Sequence, residues 1–441
     1  MSEYTKVKIG DICRIEKGRT GIASAAQGEY PLVVTAEERK TCDEYQFDCE
    51  AVCIPLVSSS GHGKKSLKNV HYQSGKFALG SILCAVIPNN PQEVNARYLH
   101  QYLQFYKDTV LVPLMKGAAN VSLSMRDIAN VEIPLPDFKT QAALAKIFVQ
   151  TQEKQKELNA EFEKQTEYAK QLRQNILQEA IEGKLTAEWR KNHPVEKGNP
   201  KLDSSALVNE LKSQYSKKNK DDEKIDFDYA LQSPKEWSSI PFDYLFSIQS
   251  GLAYDKALLN IQSNDMVRIL RGGNISDNGE ILEKQDDYFI SREFLDKTPT
   301  LQKNMLITPA VTSYEQVGKI ALVRNDNNQN VIGGFVLMYI PKFDNKILTN
   351  YTYIVLSSDW FKNICRKITR KSGQAFYNIS RQKLRIIDIA LPSLDEQEEI
   401  VNKVDSLLKK VNELEKQIQE HKKMTEKLVF GIIKEKFEKQ I

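Results

Sequence analysis

The stretch Trp360–Arg385, WFKNICRKITRKSGQAFYNISRQKLR, carries Arg366, Lys367, Arg370, Lys371, Arg381, Lys383 and Arg385. No Asp or Glu follows Asp359 within it, and Gln374, Tyr377 and Asn378 are interleaved with the cations. Lysine and arginine neutralise phosphates, planar amides pair with base edges, and an aromatic ring can stack. The chemistry open to this tract is recognition of a nucleic acid. For any one of these residues the plain alternative is a solvated basic face. Three other places offer the same residue types: LMKGAANVSLSMRD with Lys116 and Asn120, RILRGGNIS with Arg268, Arg271 and Asn274, and GHGKKS with Lys64 and Lys65. An acidic cluster (Glu37, Glu38, Asp43, Glu44, Asp48, Glu50) points away from such a role on one side of the first globule.

The tools of an enzyme are not assembled anywhere. GHGKKS lacks the first glycine that a phosphate-cradling loop requires. Asn90-Pro91 is followed by Gln92, so no Asn-Pro-Pro-aromatic motif of an amino-methyltransferase forms. The five histidines are scattered among unrelated segments, which leaves no catalytic set. Cys42, Cys49, Cys53 and nearby His62 suggest a metal, but no C-x-x-C pair occurs and Cys53 sits in the apolar run AVCIPLV. They read as reduced core thiols of a cytoplasmic protein. The expectation is a non-catalytic chain that holds no metal.

What must position the cations is written twice. VEIPLPDFKTQ and IDIALPSLDEQ place Leu135-Pro136 and Leu391-Pro392 at 391 − 135 = 256 residues apart. At that offset Val121–Leu185 aligns without a gap on Tyr377–Ile441, with identities such as Ser124/Ser380, Ile133/Ile389, Gln141/Gln397 and Leu158/Leu414. Each copy leads into a long helix with two seven-residue series. In the first copy these are Leu144, Leu158 and Leu172, and Phe148, Phe162 and Ile176. In the second they are Ile400, Leu407, Leu414 and Leu428, and Val404, Val411, Ile418 and Ile432. Such series mark the seam of a coiled coil. VKIGDICRIEKG and IPFDYLFSIQSG open the two globules, and short apolar runs broken by Gly, Asn and Ser follow both, the texture of a mixed α/β domain.

The expected order is therefore globule, helix, polar linker, globule, helix: 1–139, 140–185, 186–235, 236–392 and 393–441. The class is α+β, two α/β domains separated by two long helices in an antiparallel coiled coil with an internal pseudo-twofold repeat. Composition agrees with an ordinary folded protein, since 41% hydrophobic and 27% charged residues suit neither a disordered chain nor a membrane protein. No apolar run reaches the roughly 20 residues of a membrane span. A net charge of only +4 means that cations must be clustered to matter.

The pattern Asn378-Ile379-Ser380, then Leu391-Pro392-Ser393-Leu394-Asp395-Glu396-Gln397, then a long helix resembles a type I restriction–modification specificity subunit. Ser122-Leu123-Ser124 and Leu135-Pro136 with Gln141 form the looser first copy, in which Lys139-Thr140 replaces the acidic residue. ILQEAIEGKLT and SPKEW resemble the end of the first conserved helix and the lead-in to a second recognition domain. The resemblance covers essentially the whole chain. It implies two target recognition domains, each reading one half of a split double-stranded DNA site, with the helices as ruler. It further implies two modification subunits that bring S-adenosylmethionine, and restriction subunits that bring ATP-driven, Mg-dependent cleavage; this chain would hold no cofactor. A coiled-coil scaffold that never reads DNA is the rival from another class.

Overall fold

The apolar runs AVCIP and LCAVIP become neighbouring antiparallel strands, Ala51–Pro55 and Leu83–Pro88, buried at every position. The computed structural model describes residues 5–60, 63–214, 231–261, 263–295, 300–372 and 375–439. The chain divides into two units, Met1–Lys164 with Gln419–Ile441, and Gln165–Ile418.

In the first unit those two strands are central in a four-stranded sheet whose outer strands are Cys13–Lys17 and His71–Gln73. Alternation sends Cys53, Ala85 and Ile87 towards a second four-stranded sheet, where Phe47, Phe77 and Leu79 meet them. Val52, Ile54, Cys84 and Val86 face the other way and meet Tyr98, Leu99 and Leu103 of the helix Ala96–Val110. A sheet covered on both faces needs continuous rather than alternating apolar strands, and that is what the sequence supplies. Asn95 caps the helix by accepting from the Arg97 and Tyr98 amides. The Tyr98 hydroxyl donates to the Pro134 carbonyl at 2.8 Å and so ties the helix to the strand Glu132–Pro134, which pairs with Lys6–Lys8.

The second unit repeats these parts. Ser238–Pro241 pairs with Asp388–Leu391. A four-stranded sheet runs Phe246–Ser250, Val336–Pro341, Leu306–Pro309, Ala321–Leu322, and a three-stranded sheet Tyr288–Ser291, Met266–Leu270, Asn330–Ile332. The helix Lys346–Ser357 is capped by Asn345, and its Tyr351 hydroxyl donates to the Ala390 carbonyl at 2.8 Å. The chain is thus mixed α/β in two parts, with long helices Phe138–Ile181 and Leu394–Lys439.

The stretch expected as a polar linker is, as far as Gln214, built into the second unit. Its helix Ser204–Ser213 buries Leu207, Val208 and Leu211 in that unit's core. The Pro200 and Lys201 carbonyls accept from the Leu394 and Asp395 amides, orphan donors at the start of the second long helix. Glu396, 3% exposed, accepts from Thr186 Oγ1 (2.7 Å), Arg190 Nη1 (2.5 Å) and Trp237 Nε1 (2.9 Å). A buried carboxylate is tolerable because these donors replace its water. Residues 215–230 of the expected linker lie outside the described residues.

The seven-residue seam needs correction. Leu144, Phe148, Phe162, Ile176, Ile400, Val404 and Val411 are buried, and Leu158, Leu407 and Ile418 are partly so. Leu172 (44%), Leu414 (46%), Leu428 (62%) and Ile432 (37%) are exposed. An unstrained α-helix turns about 20° away from a strict seven-residue repeat per heptad. Four heptads past Leu144 the drift is about 80°, so Leu172 points out and Arg173 in. In the second unit the Arg173 guanidinium donates to Glu415 at 3.0 Å. In the first unit Val429 and Ile433 turn inward beside the exposed Leu428 and Ile432. Phe437 sits among the rings of Tyr98, Tyr102, Phe105 and Phe148.

Candidate nucleic-acid interface

In the second unit the helix Asp359–Lys367 is capped by Ser358, whose hydroxyl accepts from the Phe361 amide. It buries Phe361, Ile364 and Cys365 and carries Arg366 and Lys367 in its last turn. A hairpin follows at once. Thr369–Ser372 pairs with Phe376–Ile379 in the register Thr369↔Ile379, Arg370↔Asn378, Lys371↔Tyr377, Ser372↔Phe376, and Val311–Thr312 adds a third strand. Ile379 is buried, which fixes the face of the hairpin that looks inward. Since successive side chains alternate, Arg370, Asn378 and Phe376 share the opposite, outward face. All three are exposed, as is Lys371. Among the described residues neither Arg370 nor Lys371 is held in an ion pair.

Tyr377, on the inner side, meets the Tyr314 ring at 5.1 Å, and the Arg366 guanidinium lies over Tyr314 at 5.8 Å from its centroid. Arg366 also donates to Asn363 Oδ1 at 3.0 Å, so its guanidinium is partly committed to the helix. Gln374 lies outside the described residues. Tyr314, Phe335 and Phe376 join this surface without any sequence signal beyond their aromaticity, because only strand pairing places them there.

Arg268 and Asn274 are a correction: both are buried and spent on internal bonds. Arg268 Nε donates to Asn330 Oδ1 (2.9 Å) and Nη1 to Asp287 Oδ2 (3.3 Å). Asn274, fully buried, donates to Asp287 Oδ1 (2.6 Å) and the Leu282 carbonyl (3.0 Å). Burial alone would raise the Asp287 pKa. The Lys284 amide, the Asn274 amide and the Arg268 charge outweigh it and hold the carboxyl below its usual range. The strand Met266–Leu270 is central in its sheet, and Arg268 is only 9% exposed. Arg271 stays half-buried, pairs with Asp286 at 2.9 Å and lies over the Tyr288 ring at 4.1 Å.

The first unit brings its four candidates together on two adjacent loops. Lys116 and Ser122 exchange backbone hydrogen bonds (2.9 and 2.8 Å), and Ser58 N donates to the Val121 carbonyl at 3.0 Å. Gly63, at φ +73°, approaches Ala118 so closely that a Cβ would stand 2.3 Å from its carbonyl oxygen. Lys64, Lys65, Lys116 and Asn120 are all exposed around this contact. Lys116 also pairs with Asp127 at 3.4 Å. The bridges Val57↔Ser122↔Lys116 correspond to Val311↔Asn378↔Arg370 of the second unit, with Ser122 and Asn378 at the 256-residue offset. Each bridge precedes a short helix capped by Ser124 or Ser380. The acidic residues are separate from these loops in the first unit's other sheet and its margins.

Among the described residues no cluster of three or more His, Cys, Asp or Glu is placed to hold a metal. Cys53 is in the buried strand, and burial pushes its thiol up. His62 lies outside the described residues. No described helix is long and apolar enough to cross a membrane.

The family model for the type I restriction modification DNA specificity domain matches residues 1–167 and 234–421. The specificity subunit of type I restriction enzyme EcoBI of Escherichia coli is 23% identical over 290 residues, 65% of this chain and 53% of that protein. The match thus spans about half the length of that relative. The EcoDI specificity subunit, also of Escherichia coli, is 22% identical over 407 residues, 92% of this chain and 81% of the other. A chain solved in work on complex assembly and conformational transition of the type I R-M system aligns over 99% of this chain and 98% of its own. Its TM-score is 0.60 at 14% identity, a likeness of fold. The family's two matched stretches take in both edges built above, Lys116–Ser122 in one and Arg370–Asn378 in the other. The chain belongs to the type I restriction modification DNA specificity family.

Proposed function

We propose that the chain is the sequence-reading subunit of a type I restriction–modification complex, with 1–139 and 236–392 as target recognition domains. Each reads one half of a split double-stranded DNA site. The observation that carries this is the outward face of the Thr369–Ile379 hairpin. It sets a phosphate-neutralising Arg370 beside an amide, Asn378, that can pair with a base edge. The loops around Lys116 and Asn120 serve the other half-site in the same way.

The helical stretches 140–185 and 393–441 act as an antiparallel coiled coil that sets the gap between half-sites. Inside the second unit, Arg173 bonds Glu415 and the Leu185 carbonyl accepts from Lys403, so numbering runs in opposite directions along the pair, which supports that reading. An internal pseudo-twofold repeat suits two copies of one partner. Tyr168 and Leu172 in one helix, and Met424 and Leu428 at the same offset in the other, are exposed i, i+4 pairs suited to two modification subunits. Those partners supply S-adenosylmethionine and the methyl-transfer residues, and restriction subunits supply ATP- and Mg-dependent cleavage, in the cytoplasm. This chain contributes recognition and no catalysis.

The test is co-expression with the partner methyltransferase and a map of methylated bases in host DNA. A two-part, gapped motif that disappears without this chain is the expected result. Methylation that is unaltered by its removal overturns the reading.

A further inference from the structure

Resting on the reading of the hairpin as DNA-facing, we propose that Phe376 recognises the C5-methyl group of a thymine. That thymine lies two base pairs along the groove from the base met by Asn378. Asn378 and Phe376 are i and i−2 on one strand and share its outward face. Two residues of strand span about 6.7 Å, and two base-pair steps span about 6.8 Å, so neighbouring outward side chains meet bases in that spacing.

The ring is available for this. Phe376 is 56% exposed and makes no ring contact among the described residues. Its neighbour Tyr377 is instead used for packing against Tyr314. Phe335, 70% exposed, belongs to the next segment, its carbonyl accepting from the Ala310 amide (2.7 Å) while the Ala310 carbonyl accepts from Ile379 (3.0 Å). Arg370 shares the outward face with the ring and has no carboxylate partner among the described residues, which favours a polyanion over an apolar protein groove. In a major groove the apolar feature available to a ring is the thymine methyl. The first unit offers no counterpart: its loop between Lys116 and Val121 reads Gly-Ala-Ala-Asn. Methyl sensitivity that depends on an aromatic ring therefore belongs to one half-site alone.

The experiment uses the full chain assembled with its methyltransferase, and duplexes bearing the mapped site with deoxyuridine replacing one thymidine at a time. Wild type is expected to lose about four-fold in affinity at one thymine of one half-site, the factor for one methyl group removed from water. Phe376→Ala binds the thymine duplex about four-fold more weakly and ignores the uracil replacement, while Phe376→Leu keeps part of the discrimination. Equal loss on both duplexes, as for a ring wedged between base pairs or a contact to the partner protein, overturns the proposal. A site with no methyl-sensitive thymine does so too. Arg370→Ala separates the two readings. If it weakens binding while the wild type is blind to the methyl, or while Phe376→Ala loses equally on both duplexes, the methyl contact alone falls; if neither variant affects binding, the DNA-facing surface falls with it.

Discussion

Arg268 and Arg370 come from tracts of similar composition, yet one is enclosed by Asp287 and Asn330 and the other stands exposed on a hairpin. Arg268→Ala leaves Asp287 buried without its cation, a change that costs about 3–5 kcal/mol, so the denaturation midpoint should fall sharply. Arg370→Ala should leave the stability within about 0.5 kcal/mol of wild type. It should instead weaken DNA binding by the assembled complex across sequences and reduce the slope of log K against log salt by roughly one. An unfolding curve and a salt titration of each variant decide the matter. If Arg268→Ala is stable and selectively defective in DNA binding, the internal role assigned to it is wrong. A second expectation concerns His71. Burial first, then the Arg39 and His100 charges, push its pKa from 6.5 down to about 4. The unfolded chain then binds more protons in that interval, so stability is full above pH 6.5 and falls as pH drops towards 4. His71→Gln, which cannot titrate, should flatten that part of the stability–pH curve; an unchanged slope would assign the loss to other groups.

At the scale of elements, each long helix is held at its start by a short strand, and each strand is held by a tyrosine hydroxyl, Tyr98 to Pro134 and Tyr351 to Ala390. The drift of the apolar stripe decides which helix positions matter. Val411 is 1% exposed and Leu414 is 46% exposed, although both fall on seven-residue series. Val411→Asp should cost several kcal/mol by burying a charge, whereas Leu414→Asp should change stability by no more than about 0.5 kcal/mol. Thermal unfolding of the two variants checks this, and equal destabilisation would restore Leu414 to the seam. Should Leu414→Asp fold normally and fail to recruit the methyltransferase, its exposed side chain belongs to the docking face.

For the whole molecule, the proposed ruler makes a length prediction. Four residues inserted in the helix ahead of Gly183 add about one turn and about 6 Å, nearly two base pairs. The methylation map of such a variant should show a longer gap between two unchanged half-sites. An active variant with the original gap would mean that something other than these helices sets the spacing.

Much of this architecture could be read from one sequence because it rests on local rules. The duplicated Leu-Pro turns and the long polar helices with apolar stripes are determined by neighbours a few residues away. The basic tract was equally visible, since charge excess needs no fold to be counted. Three things waited for tertiary structure. Which basic residues face solvent depended on strand order, which buried Arg268 in the middle of a sheet and left Arg370 on an outer face. Whether the stretch after Gly183 hangs free or packs depended on a distant partner, Glu396, whose carboxylate collects Thr186, Arg190 and Trp237. Which leucines enter the helix contacts depended on accumulated rotation over four heptads, a sum of small angles that no single spacing reveals.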